Sequence, residues 1–508
     1  MKRLLLFAVL LSLLLSACYP PVPETPRTYE SDVIYEAATS WYVDNAASGS
    51  NNGTSWTDAW ESFADIAWAS VAAGDTIYIS GGSTTKTYNE ILTVGKSGTS
   101  TEAMINITVG ANSASPSGHD GTVIIEGGST RASGVNVSGY DYVHVNGLSG
   151  STRKIKLQGH TNASVIVDNT SYVYIDYLEI VHAASRGVFE EKSDHMRIKG
   201  CDIRTGTSSA SVQTDGIYMQ VGYDNIVEDN VVVLSTENDD QHMDVLQTVQ
   251  EDRLIVRNNW FEWEADKGNF YSQAIISEDF SDWQYYYNNV VFGNTFDPLA
   301  FYLKEADPGG IAYVWNNTVF GRYSGANGSA FCSKLTNDET GEIKNNIFVS
   351  TVDGNVPIRL TKTGLTVSKV DNNLLYAAGS YVAEITGTNR TWAQYQVLGY
   401  DVHGINDNPD LDSTDEYRLL STSPAINVGT SKSTYFATDR DGTARPQDDY
   451  WDMGAYEYTS GAPANTPTPT STALPTTIPT HTPTATATEA TVPGTAWYVD
   501  NAASGSNN

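Results

Sequence analysis

Read along the chain, apolar and polar positions fall into short alternating runs of four to six residues broken by Gly, Asn, Asp and Ser. Between Cys201 and Asn373 one phrase recurs, apolar residues, one or two Asn, then apolar residues again: VEDNVVV, VRNNWFE, YYNNVVF, VWNNTVF, IKNNIFV and VDNNLLY. Taking Cys201, Asn230, Asn259, Asn289, Asn317, Asn346 and Asn373 as the register, the intervals are 29, 29, 30, 28, 29 and 27 residues. Repeats of this length signal a solenoid or a propeller. Each period holds β-branched and aromatic runs with turn residues between them, and none has room for an amphipathic helix. A propeller blade needs about 40–45 residues and four strands. A coil of this size fits three short strands and three turns, stacked roughly 4.8 Å apart. A column of Asn at one turn then forms an amide ladder from coil to coil. The pattern predicts an all-β, right-handed parallel β-helix (solenoid).

The ladder phrase resembles the pectate-lyase-like superfamily, in which such an Asn ladder sits at an inward-facing turn. Residues 88–180 read as less regular early coils: INITVGA, TVIIEGG, YVHVNGL and YVYIDYLEI. Ahead of them, Trp56, Trp60, Phe63, Ala67 and Val71 follow at helical spacing, with Thr57 and Asp58 as caps and Gly74 as the stop. The opening YVD-x4-GS-x2-GTSW, then GDTIYI-x-GG, resembles the start of many bacterial β-helix proteins, which implies an N-terminal capping helix covering the first coil's edge. Residues 400–458 (SPAINVG, DRDGTARP, WDMGAYEY) resemble a module that follows such helices and are expected to close the last coil.

Outside the solenoid the chain reads as envelope export. Lys2 and Arg3 precede an apolar run from Leu4 to Leu15, too short to span a bilayer. Leu15-Ser16-Ala17-Cys18 resembles a bacterial lipobox, which implies cleavage before Cys18 and lipid on its thiol and amine. The expected organisation is a signal peptide over 1–17, a tether over 18–39, the β-helix over 40–399, the closing module over 400–458 and a Thr/Pro-rich linker over 459–495. Residues 496–508 start a second copy, for Trp497 to Asn508 repeats Trp41 to Asn52. The expected location is the extracellular face of a bacterial cell envelope, with membrane contact through the lipid anchor only. A net charge of −31 excludes nucleic acid as a partner. It also requires that any polyanionic substrate be met by a metal or a local basic cleft. Cys201 and Cys332 stand more than four coils apart, too far for a disulfide.

Fifteen residues before the register column lie Arg186, Asp215, Asp244 and Ala274. Arg186, Asp215 and Asp244 should therefore stack on consecutive coils. Asp239 and Asp240 precede Asp244 in the polar run STENDDQHMDVLQ. Carboxylates that converge this closely call for a cation, and Ca²⁺ takes six to eight oxygens. The stretch from Thr214 to Asp244 resembles the calcium site of one group of β-helix pectate lyases. Asp215 stands for the DG of one coil, and Asp239, Asp240 and Asp244 for the DD-x-x-D of the next, with one extra residue here. That resemblance implies calcium, a polyuronate and β-elimination with a Lys base. The coil that carries the base in those enzymes reads SQAIISEDF here, without Lys; Lys304 in FYLKEAD lies one coil further, and Lys267 in the turn before.

A second reading uses His242, which shares a strand face with Asp244 and has the chemistry of a general base. In that setting Asp215 and Asp244 also approach the spacing of a retaining glycosidase. Trp260, Phe261, Trp263, Trp283, Tyr285, Tyr286 and Tyr287 divide between core and sugar-stacking roles. The leading expectation is a surface-anchored polysaccharide-active protein, a calcium-assisted polyuronate lyase. Its alternatives are a non-catalytic stalk or glycan-binding module, and a glycoside hydrolase.

Overall fold

The computed structural model describes residues 38–110, 118–182, 186–205, 215–234, 243–263, 273–293, 299–304, 310–322, 328–333, 341–361 and 367–460. Three long sheets run through them. Sheet A collects twelve described strands from Ser40–Val43 to Val370–Asp371, and sheet B eleven from Thr85–Tyr88 to Leu374–Ala377. Sheet C collects twelve from Leu92–Thr93 to Thr388–Arg390. Every long-sheet neighbour is parallel except the closing pair Ala383–Ile385 with Thr388–Arg390. Consecutive strands of one sheet are one coil apart in sequence: Ile203 pairs with Val232 and Val232 with Phe261. This is the right-handed parallel β-solenoid that the repeat predicts. Its interior is one apolar column that runs from Val43 to Tyr400.

The Asn-Asn pairs explain themselves at the turn between sheets A and B. The first residue of each pair carries a left-handed backbone: Asp229, Asn258, Asn288, Asn316, Asn345 and Asn372 all have φ between 53° and 59°. Asn, Asp and Gly tolerate that conformation better than other residues. The second residue points inward and is fully buried. Asn289 Oδ1 accepts from the backbone N–H and the Nδ2 of Asn259, both at 3.0 Å. Its own Nδ2 donates to Val256 O and to Asn317 Oδ1, both at 2.9 Å. The pattern repeats from Asn230 to Asn373. Cys201 occupies the same column, with its N–H on Asn230 Oδ1 and its thiol directed at Ile175 O, 3.6 Å away. At the other end Asp401 terminates the ladder. Its Oδ1 accepts from Asn373, and its Oδ2 accepts from the buried Tyr395 hydroxyl at 2.9 Å.

Two expectations change. The segment with helical spacing near the N-terminus forms two 3₁₀ turns, Phe63–Asp65 and Trp68–Ser70. Trp60 cannot be helical, because its N–H bonds to Tyr42 O and its carbonyl accepts from Asp44 N. The buried set shifts with them: Trp60, Phe63, Ile66 and Val71 are in the core, whereas Trp56 is half-buried and Ala67 exposed. At the C-terminal end the last coil is covered by a helix, Trp392–Val397, with a Thr391–Gln394 capping box. Most of the segment expected to close it lies instead along the flanks of sheets A and B. Leu419, Ala425, Met453, Ala455 and Tyr456 pack on Val290, Phe292, Phe320 and Ile347. Phe436 and Trp451 pack on Tyr287 and Trp315. The outward Asn of three pairs fastens this flank: Asn288 Nδ2 donates to Thr438 O, Asn316 Nδ2 to Asp452 O, and Asn345 Nδ2 to Thr430 O.

Inside the turn between sheets C and A lies a buried acid pair, Glu190 and Glu251. Glu190 accepts from Ser193 N and Gln220 N, and Glu251 from Gly222 N and Asn225 Nδ2. Burial raises both carboxyls, Glu251 to about 7, and Glu190 rises well above the usual range with the charge of Glu251 adding to the effect. Burial also pushes Asp401 up to about 7. In the unfolded chain these groups titrate near 4. The folded state therefore binds the extra protons, and the stability they confer is complete below about pH 4 and is lost as pH rises toward about 7. The melting temperature is expected to fall between pH 5 and pH 8, and Glu251→Gln should flatten that slope. An unchanged slope in the variant would show that the pair does not titrate there.

Candidate functional site

Sheet C presents the solenoid face on which the sequence-predicted column stands. Along its strands Val188 and Glu190, or Ile217 and Met219, turn inward and are buried. The alternate residues turn outward. Register sets these in rows across the coils. One row runs Phe189, Tyr218, Gln247, Ile276, Tyr302; the other runs Glu191, Gln220, Val249, Glu278, Lys304. The Phe189 and Tyr218 rings stack with centroids 5.8 Å apart and 25° between planes. The Tyr218 hydroxyl donates to Gln220 Oε1 at 2.9 Å. Its phenol titrates above the usual range, chiefly through burial.

Arg186, Asp215 and Asp244 do stand one above another where successive sheet C strands begin. Arg186 lies across the outward rings, its guanidinium carbon 5.0 Å from the Phe189 centroid and 4.5 Å from that of Tyr218. Its Nε sits 3.4 Å from Asp215 Oδ2. Asp215 and Asp244 are fully buried and form a carboxylate-to-backbone ladder. Asp244 N donates to Asp215 Oδ1 at 3.0 Å, and Gln273 N to Asp244 Oδ1 at 2.6 Å. The column therefore continues into Gln273 rather than Ala274, because the 30-residue coil takes its extra residue between sheet C and the next Asn. Position-specific packing adds a reason for the glycine of Asp215-Gly216. A Cβ at Gly216 would come within 2.5 Å of Val232 Cγ1 and 2.6 Å of Val245 O.

Lys304 is not brought to this column. It ends its strand while Asp215 and Asp244 precede theirs, a separation of five residues or about 16 Å along the sheet, and it stands two coils beyond Asp244. Its Nζ lies 2.8 Å from Glu278 Oε1, and that hydrogen bond raises its pKa and keeps it protonated. Asp239, Asp240, His242, Lys267 and Cys18 lie outside the described residues. Toward calcium the described residues offer a partial set: two of the four carboxylate oxygens of Asp215 and Asp244 accept amides, and a third faces Arg186. Among the described residues no group of three or more His, Cys, Asp or Glu gathers for a metal.

The aromatic residues divide as their strand positions require. Phe261, Trp263 and Tyr286 fill the core, and Trp260 packs under the C-terminal flank. Tyr285 faces outward on sheet A, stacked on Tyr313 at 4.7 Å and 18°, with Tyr435 of the flank 5.7 Å from Tyr285 and 44 % exposed. Sequence reasoning missed the Phe189–Tyr218 platform, although its signal is present: in RGVFEE and GIYMQ the aromatic residue takes the polar side of the alternation.

No protein-family model matches the chain, and no curated protein matches it in sequence. Among solved structures, the pectate lyase Pel9A aligns with 84 % of this chain and 97 % of its own, at 14 % identity and a TM-score of 0.51. A GH136 lacto-N-biosidase from Eubacterium ramulus aligns over 68 % of each chain at 11 % identity and a TM-score of 0.44. A rhamnogalacturonan lyase aligns with 76 % of this chain and 96 % of its own, at 12 % identity and a TM-score of 0.42. The likeness to Pel9A is one of architecture: the chain has a pectate-lyase-like β-solenoid fold.

Proposed function

We propose that this chain acts on an extended polysaccharide laid along the outer face of sheet C, and that the polysaccharide is a polyuronate cleaved by β-elimination. The observation that carries this reading is the Arg186–Asp215–Asp244 column beside the Phe189–Tyr218 rings. It sets a cation, two carboxylates and an aromatic platform on neighbouring coils of one sheet. Aromatic faces take the apolar side of a sugar ring, and a cation takes its carboxylate. In this reading Asp239 and Asp240 join Asp215 and Asp244 to hold calcium, which would neutralise a uronate carboxylate and acidify the adjacent C–H. His242, two residues before Asp244 in sequence, is the base of this reading, since Lys304 stands away from that column and is paired with Glu278. The Cys18 lipid anchor would place the activity at the outer face of the envelope.

Elimination leaves an unsaturated sugar, so ultraviolet absorbance tests the reading directly. The protein is expected to raise absorbance on a polyuronate, chelator should abolish the rise, and His242→Ala should slow it by about a hundredfold to ten-thousandfold. Absence of a rise across a panel of polyuronates would contradict it. A second reading, a glycan-binding module without chemistry, draws on the half-buried Tyr285–Tyr313 stack of sheet A and the exposed Tyr435 of the flank beside it. Binding without any product would favour it.

A further inference from the structure

Arg186 differs from the arginines of sheet A and its flanking turn. Arg197, Arg253 and Arg257 each set a terminal nitrogen on a carboxylate, at 2.5, 2.6 and 2.5 Å from Asp176, Asp224 and Glu228. Arg186 meets its acid only through Nε, at 3.4 Å. Its guanidinium carbon lies over two rings, its side chain is 24 % exposed, and its two terminal nitrogens make no hydrogen bond to any described residue. The guanidinium is thus braced from behind and stacked from beneath, while the pair of N–H groups that matches a planar carboxylate stays available. Arginine offers that fork in a fixed plane, which lysine does not.

We infer that Arg186 is a specificity-determining residue, which selects an ionised uronate over a neutral or esterified sugar by a two-point contact with the carboxylate while Phe189 and Tyr218 take the sugar's apolar side. This rests on the reading that a glycan lies along sheet C, but not on elimination. It also answers the problem set by the net charge of −31: a polyanion is met by one prepositioned cation on a ring platform rather than by a basic cleft.

The test is calorimetric binding of an oligogalacturonate and of its methyl ester of the same length, with the full chain. The parent is expected to bind the acid about tenfold to a hundredfold more tightly than the ester, the range of a charged hydrogen-bonded contact. Arg186→Gln should bring the acid down to the ester's affinity and leave the ester unchanged. Arg186→Lys should retain part of the preference, and Tyr218→Ala should weaken both ligands alike. Equal binding of acid and ester by the parent, binding of neither, or an Arg186→Gln protein of native melting temperature that keeps the preference would each overturn the inference. If Arg186→Gln does not fold, the Arg186→Lys result decides: full preference overturns it, reduced preference supports it. A parent that prefers the acid yet releases no unsaturated product upholds this role and removes the lyase reading.

Discussion

Asn289→Ala is expected to lower the stability of the solenoid by about 3–5 kcal/mol. The side chain is fully buried and makes four hydrogen bonds within its column. Its loss leaves the N–H and Nδ2 of Asn259, the carbonyl of Val256 and one approach to Asn317 Oδ1 without their partner, in an interior that admits no replacement. An unsatisfied buried donor or acceptor costs about 1–3 kcal/mol, so two or three of them account for the range. The informative control is Asn258→Gly, one coil earlier and one residue out of the column. Asn258 is half-buried and left-handed at φ 58°, a conformation glycine adopts without strain, and its side chain bonds only Asp229 and Asn288 at 3.1 and 3.2 Å. That variant should change stability by less than about 1 kcal/mol. Urea denaturation of both variants checks the pair. Equal midpoints would mean that the column contributes no more than its surface neighbours.

Arg445→Met is expected to release the C-terminal flank. Arg445 is fully buried and bonds Glu457 at 2.6 Å, the carbonyls of Asp452 and Gly454, and Asn288 Oδ1 on the solenoid. Removing one member of a buried ion pair costs about 3–5 kcal/mol, because the other charge stays behind without compensation. Here Glu457 would remain beside Asp439, whose own carboxyl burial pushes up to about 6. The flank's apolar contacts with Phe292, Phe320 and Trp315 cannot hold it against that charge, and segments near Ser431 and Asp448 should become open to protease while the coils stay intact. Adding Glu457→Gln should recover part of the protection. A flank that resists protease in Arg445→Met would show that the apolar contacts alone suffice.

Much of this architecture is legible in the chain because a stacked coil repeats its requirements. The second Asn of each pair must satisfy the same inward groups on every coil, so it recurs in register, and Asp401 substitutes for it at the end of the column. The first Asn recurs for a different reason, its left-handed backbone, and its service to a segment more than a hundred residues later leaves no local trace. The stacking of Arg186, Asp215 and Asp244 follows from counting. Its continuation into Gln273 does not, because counting cannot say where a longer coil takes its extra residue. Helical spacing over residues 56–71 misleads because two separate turns bury Trp60, Phe63 and Val71 as one helix would, while placing Ile66 rather than Ala67 in the core. Lys304 shows a further limit: the coil of a residue can be counted, but its position along the strand relative to a site decides whether it reaches, and there it pairs with Glu278 instead.

The claim on which the functional account turns is the place where the glycan lies. A crystal structure of the chain soaked with an oligogalacturonate and calcium measures it directly. The account expects sugar density along the outer face of sheet C, with a ring over Tyr218 and its carboxylate on the terminal nitrogens of Arg186. Density confined to the Tyr285, Tyr313 and Tyr435 surface of sheet A, with none at Arg186, would contradict it.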